Sequence, residues 1–169
     1  MQLDVAFDLD FSLCCGQVFR WKKTGDWWYG IVGDNVCKIR QCGNKLEYQG
    51  VSEDFVRNYF GLNDDLEQIS QCISKDDYIR KALSKFAGLR IVRQVSWECL
   101  ISFICATYKS IAAIELMLRK ISEKYGQNLQ YCPFVEYLNS ANNIIEKEQF
   151  YSVIIDLQNG VTTGDKAFK

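Results

Sequence analysis

Three glycine-containing turns, Thr24-Gly25, Gly33-Asp34 and Gly43-Asn44, cut the chain between residues 17 and 49 into runs of five to eight residues. Runs that short do not make ordinary helices, which average about 11 residues, and two-residue turns join antiparallel neighbours. Residues 17–23, 26–33, 35–41 and 45–49 are rich in Val, Ile, Tyr, Phe and Trp, side chains that suit a pleated, half-buried surface. They read as a four-strand meander, and residues 2–50 as a whole read as antiparallel sheet. Phe19, Trp21, Trp27, Tyr29, Ile31 and Val36 alternate with polar or small neighbours, which predicts one covered and one wet face. Trp27 beside Trp28 breaks the strict period of two.

From residue 52 onward the apolar period becomes helical. Ser52 is placed to cap a helix ending near residue 60, and Asp64 or Asp65 to cap the next, through about residue 74. Ser74 with Asp77 has the spacing of a capping box, and the helix it opens carries Ile79, Ala82, Leu83 and Phe86 on one face and ends near Gly88. Residues 97–107, WECLISFICAT, are apolar nearly all round, the mark of a buried central helix. Ser110 opens a further helix with a stripe of Ile111, Ile114, Leu118, Ile121 and Tyr125, and Gly126 is its stop signal. The fold class is therefore α+β, an N-terminal antiparallel β-sheet followed by an α-helical bundle portion. Residues 127–169 hold five of the nine asparagines and the single proline. Residues 139–150 read there as a helix anchored by Ile144 and Ile145, and 151–156 as a strand, in an otherwise weakly specified tail.

Composition removes several kinds of chemistry. The sequence of 169 residues contains no histidine, which excludes a His-activated nucleophile, a His-ligated metal and a histidine base within this sequence. Its eight cysteines form no C-x-x-C pair, so we expect no metal site and read them as buried thiols of a reducing compartment. The opening MQLDVAFDLD is acidic where a signal peptide is basic, and no apolar run reaches membrane-spanning length. The expectation is a soluble, cytoplasmic protein without a membrane partner. Residues 1–126 carry 17 basic and 16 acidic side chains. The most basic stretch is 75–93, with Lys75, Arg80, Lys81, Lys85, Arg90 and Arg93 against two acids. Either a DNA contact or a solvated helix face explains that run.

Three segments in order, FSLCCGQVFRWKK with the following DWWYGIVGDNVCKIRQ, VRNYFGLNDDLEQI running into DDYIRKALSKFAGLRIVRQ, and WECLISFICATYKSI continuing to KYG, make residues 1–126 resemble the 8-oxoguanine DNA glycosylases of the helix-hairpin-helix superfamily. The resemblance implies a sheet of the kind compared with TATA-binding protein over 1–51, helices completing that domain over 52–93, and the first helices of the glycosylase helical domain over 94–126. It implies double-stranded DNA containing 8-oxoguanine as partner, no cofactor, extrusion of the damaged base and attack on the sugar by a lysine. Neither the hairpin turn nor the catalytic lysine of the family is matched in 127–169. There Lys147, Lys166 and Lys169 lack the context, so no catalytic residue is assigned and the tail is expected to be truncated or unrelated, for instance after a frameshift.

Base-binding positions carried over from the family are Gly16, Gln17 and Phe19. Gly16 matches the glycine whose carbonyl accepts a hydrogen bond from the N7 hydrogen of the oxidised base. A turn or bulge glycine is the alternative reading of Gly16, and interior packing that of Phe19 and Trp21. The DNA-binding positions are Arg20 and the turn Tyr108, Lys109 and Ser110, which stands where relatives have an asparagine-rich loop; Ala113 replaces an expected arginine. Tyr108 suits stacking and Lys109 a phosphate, while an ordinary helix–helix turn explains the same residues.

Overall fold

The computed structural model describes residues 1–128 and 143–145, and the chain divides into two compact units, residues 1–102 and 103–169. In the first unit, β1 (Trp21–Thr24), β2 (Trp27–Val32), β3 (Asn35–Cys42) and β4 (Lys45–Gln49) form an antiparallel sheet in the order β1-β2-β3-β4. Each hairpin turn opens with a glycine at positive φ, namely Gly25, Gly33 and Gly43, followed by Asp26, Asp34 or Asn44 outside that region. This is the pattern of type II′ turns, whose twist matches that of the strands. The first turn is thus Gly25-Asp26, one residue later than the sequence suggests.

Residues 2–50 are not sheet throughout. Residues Leu9–Cys14 form a helix, α1, capped by the Asp8 carboxylate, which accepts from Phe11 N at 2.8 Å. Its buried Leu9, Ser12 and Leu13 have the i, i+3, i+4 spacing of a helix face, too brief to stand out against the strand runs that follow. The Gln41 side chain ties the helix start to β3, accepting from Leu9 N at 2.8 Å and donating to Phe7 O at 2.9 Å. Asp10 accepts from Trp28 Nε1 at 2.7 Å and from Lys23 Nζ at 2.6 Å. Burial works against that carboxylate's charge, yet these two donors and the Lys23 charge together hold its pKa below the ordinary value. The strand expected over 17–23 also starts late, at Trp21, and the Gln17 carbonyl is bonded by Gln94 Nε2, outside the sheet.

Helices α2 (Glu53–Tyr59), α3 (Leu66–Ile73) and α4 (Asp77–Lys85) follow, capped by Ser52, Asp65 and Asp76. The N-cap is Asp76, which accepts from Ile79 N at 2.9 Å, while Ser74 is the C-cap of α3, so the capping-box reading is corrected: the helix opens two residues later than the Ser74–Asp77 spacing places it, on an aspartate that reaches its own N3 amide. One apolar cluster joins Phe7, Leu9 and Leu13 to Trp28, Ile39 and Leu46 of the sheet and to Val56, Tyr59, Phe60 and Leu62. Phe60 and Leu46 are almost wholly enclosed. Against this core α3 and α4 are lightly held, with no buried residue in either. Ile79, Ala82, Leu83 and Phe86 line an apolar groove of about 370 Å³ beside them.

Helix α5 (Ser96–Ala106) contradicts the expectation of burial all round: Ile101 and Cys105 are buried, but Leu100, Phe103 and Ile104 are exposed, Phe103 to 76%. An apolar sequence reports the ability to be covered, not the presence of a cover. In the second unit α6 (Ile111–Tyr125) buries Ile114, Leu118 and Ser122, whereas Ile111 is exposed. Its end passes at Gly126 into β5 (Gly126–Asn128), which pairs antiparallel with β6 (Asn143–Ile145). Ile144 and Ile145 therefore lie on a strand, not on the helix expected over 139–150; the rest of that segment, like 151–156, is outside the described residues. The expectation of buried thiols also fails, since Cys14, Cys15, Cys42, Cys72 and Cys99 are exposed and only Cys37 and Cys105 are buried among the described cysteines.

Candidate nucleic-acid interface

Gly16 sits just past the end of α1, exposed and at φ +83°. Residues with a Cβ enter that region at a cost of about 1–2 kcal/mol, so glycine suits this position, the one that follows the C-cap Cys15 of α1. Gln17, next to it, is anchored at both its side chain and its main chain. Its Nε2 donates to Val92 O at 2.7 Å, its Oε1 accepts from Val92 N at 3.0 Å, and its carbonyl accepts from Gln94 Nε2 at 2.6 Å.

These bonds belong to a longer seam in which Gly88, Arg90, Val92 and Gln94 of an arm, residues 88–94, hold residues 6–17. Gly88 O accepts from Asp8 N at 2.8 Å, Arg90 N donates to Ser12 Oγ at 3.0 Å and Arg90 Nε to Ala6 O at 2.9 Å. The opposite edge of the arm faces α2, where Arg93 N donates to Tyr59 O at 2.7 Å. One short arm thus bonds both the residues that lead to Gly16 and the end of α2.

The seam also engages basic residues that the sequence offers for DNA. Arg90 is 4% exposed, with its guanidinium donating to the carbonyls of Ala6, Gly61 and Asp64; burial lowers its pKa. Arg93 pairs with Asp64 at 2.6 Å, and Arg80 pairs with Asp77. Of the six basic side chains in 75–93 only Arg90 is buried; Arg80 and Arg93 are exposed but in ion pairs, and Lys75, Lys81 and Lys85 are exposed on or beside α4.

Arg20 donates to Glu98 Oε1 at 2.6 Å, and the same carboxylate accepts from Gly33 N at 3.3 Å. Burial pushes the Glu98 carboxyl up, while Arg20 and the Gly33 amide oppose that shift. The Arg20 charge is thereby neutralised inside the first unit. Phe19 lines, with Arg20, Trp21, Tyr59 and Glu98, a cavity of about 20 Å³, room for one water and not for a base. Trp21 is half-buried against the core cluster, packed over Gly30 and donating from its indole to the Tyr59 hydroxyl at 2.9 Å.

In the second unit Tyr108, Lys109 and Ser110 form the turn between α5 and α6. Tyr108 is fully exposed at φ +54°, the only described residue other than glycine at positive φ. Ser110 is the N-cap of α6, its Oγ accepting from Ala113 N at 3.3 Å, so its side chain is occupied. Gln94 and Glu98 escaped sequence reading. A carboxylate inside the apolar segment 97–107 was the available signal for Glu98; nothing in the residues around Gln94 marks it. Among the described residues no group of side chains is arranged to hold a metal ion, and no helix is long and apolar enough to cross a membrane.

Residues 2–100 match the family model of the 8-oxoguanine DNA glycosylase N-terminal domain. The chain is 30% identical over 125 residues to the N-glycosylase/DNA lyase OGG1 of Arabidopsis thaliana, a match covering 68% of this chain and 34% of that relative. MBOgg1 in complex with a low affinity DNA ligand superposes with a TM-score of 0.71 at 29% identity, covering 78% of this chain and 47% of that one. The 8-oxoguanine glycosylase/lyase of Clostridium acetobutylicum in its apo form gives a TM-score of 0.69 at 30% identity, over 75% of this chain and 46% of that one. Its complex with double-stranded DNA containing cytosine opposite 8-oxoguanine superposes equally well, with a TM-score of 0.69. The chain thus spans about a third of the curated relative, 34%, and less than half of these solved structures.

Proposed function

Because the chain belongs to the 8-oxoguanine DNA glycosylase family through its N-terminal domain, we propose that it supplies the sheet domain and one wall of the lesion pocket of an enzyme that removes oxidised guanine from DNA inside the cell. The observation that carries this reading is the exposed Gly16 at positive φ, held by its neighbours within the family-matched residues. Oxidised guanine has a hydrogen on N7 where guanine has a lone pair. A carbonyl aimed at that atom gains a hydrogen bond with the lesion and meets acceptor against acceptor with guanine, a difference of about 1–3 kcal/mol. Extrusion of the base costs a few kcal/mol, which the complete pocket recovers by such hydrogen bonds.

Tyr108 stacks on exposed bases and Lys109 meets a phosphate in this reading. Phe19 and Arg20 support the wall from within. The amine nucleophile is assigned to no lysine of this sequence. Three exposed lysines on or beside α4 and the fully exposed Tyr108 also favour a second reading, a duplex-binding module without lesion preference. To test both, the chain is incubated with duplex containing 8-oxoguanine opposite cytosine, with and without borohydride. Salt-dependent binding and no trapped covalent adduct are expected. A flat titration at low salt contradicts both readings, and a trapped adduct contradicts the assignment of the nucleophile.

A further inference from the structure

We propose that Gln17 is a positioning residue, which aims the Gly16 carbonyl by bonding to the arm at Val92 and Gln94; the inference rests on the reading of Gly16 as the atom that senses N7. Glycine has no side chain with which to fix itself, and the Gly16 backbone is exposed. Its carbonyl lies in the same rigid peptide plane as Gln17 N. Whatever fixes Gln17 therefore fixes one end of that plane.

A primary amide suits this task because it is donor and acceptor at once. Against the N–H and C=O of a single residue, Val92, it makes two bonds at 3.0 and 2.7 Å, which set rotation as well as distance. The third bond, from Gln94 Nε2 to Gln17 O at 2.6 Å, holds the main chain on the far side of the same residue. Val92 is itself buried in the core cluster. The carbonyl is thus referred to the interior of the unit, not to its surface loop. On the other side, Ser12 is fully buried, and its hydroxyl bridges Asp8 O and Arg90 N; α1 therefore reaches Gly16 from a fixed origin.

The test is an NMR titration of the isotopically labelled full chain with 8-oxo-2′-deoxyguanosine and, in parallel, 2′-deoxyguanosine. A hydrogen bond accepted by Gly16 O moves the Gly16 carbonyl carbon and the Gln17 nitrogen. The parent chain is expected to show these shifts with the oxidised nucleoside and to favour it by about tenfold, the equivalent of one hydrogen bond. Gln17→Ala, folded by circular dichroism, is expected to bring the preference to about one. Gln17→Glu, which keeps the acceptor for Val92 N–H and loses the donor, is expected to fall between.

Should Gln17→Ala not fold, Gln94→Ala removes only the main-chain anchor and is expected to reduce the preference about threefold. A parent preference retained in folded Gln17→Ala, or in Gln94→Ala where that variant takes its place, overturns the positioning role and leaves the reading of Gly16 standing. Equal response of the parent to both nucleosides overturns that reading and the inference with it.

Discussion

At the scale of single residues, two backbone conformations separate function from stability. Gly16→Ala places a Cβ at φ +83° and is expected to destabilise the chain by about 1–2 kcal/mol while turning the carbonyl away. Urea unfolding measures the first effect and the nucleoside titration the second. Tyr108 behaves in the opposite sense. It is fully exposed and already held at φ +54°, so Tyr108→Gly is expected to change stability by less than about 1 kcal/mol. DNA affinity should nonetheless fall by the stacking contribution, about 1–3 kcal/mol, and a fluorescence anisotropy titration beside a melting curve tests the pair.

At the scale of elements, the seam between residues 6–17 and the arm 88–94 is what gives the loop its geometry. Removing the Gln17 amide leaves the N–H and C=O of buried Val92 without their partners, a loss of about 1–3 kcal/mol in unfolding free energy. Two carboxylates that brace the sheet should show opposite pH behaviour. Asp10 is held below its ordinary value by Lys23 and Trp28 against the pull of burial, so it contributes stability above the usual carboxylate range that is lost as pH falls through its depressed value. Glu98 is held above its ordinary value by burial. Between its unfolded and folded values the folded state retains a proton that the unfolded chain has released, and stability falls as pH rises through that window. Asp10→Asn should therefore flatten the acid side of the stability profile and Glu98→Gln should remove the decline above it, as read from denaturation midpoints across pH. Arg20→Ala, which leaves Glu98 without its cation, should cost more than Glu98→Gln does, by about 1–3 kcal/mol after allowance for partial exposure.

At the scale of the whole molecule, the α+β order and the meander were legible because two-residue glycine turns and β-rich runs carry their own geometry. The Ser52 and Ser110 caps were legible for the same local reason, and Asp65 was one of two adjacent aspartates that the pattern offered. Helix α1 was hidden: its six residues are shorter than two turns, and its anchors, Gln41 and Trp28, are distant in sequence. Burial of α5 was misjudged because Leu100, Phe103 and Ile104 specify an apolar surface and say nothing of what lies on it. The basic run 75–93 looked uniform, yet Arg90 and Arg93 are engaged by carbonyls and Asp64, pairings of high sequence separation that no local pattern encodes. The full chain carries a net charge of −1, so DNA affinity should be modest. Replacing Lys81 and Lys85 by Gln is expected to weaken binding equally on any sequence and to lower the salt slope by about one for each lysine that meets a phosphate.

The central claim, that this domain forms the N7-reading wall of a lesion pocket, is tested most directly where no base has to be extruded. Affinity is measured by anisotropy for matched single-stranded oligonucleotides that differ only in one guanine being 8-oxoguanine, at two salt concentrations. The oxidised strand is predicted to bind more tightly, about tenfold if the Gly16 bond forms in full, with a ratio that persists while both affinities fall as salt rises. Equal affinities at both salt concentrations contradict the claim.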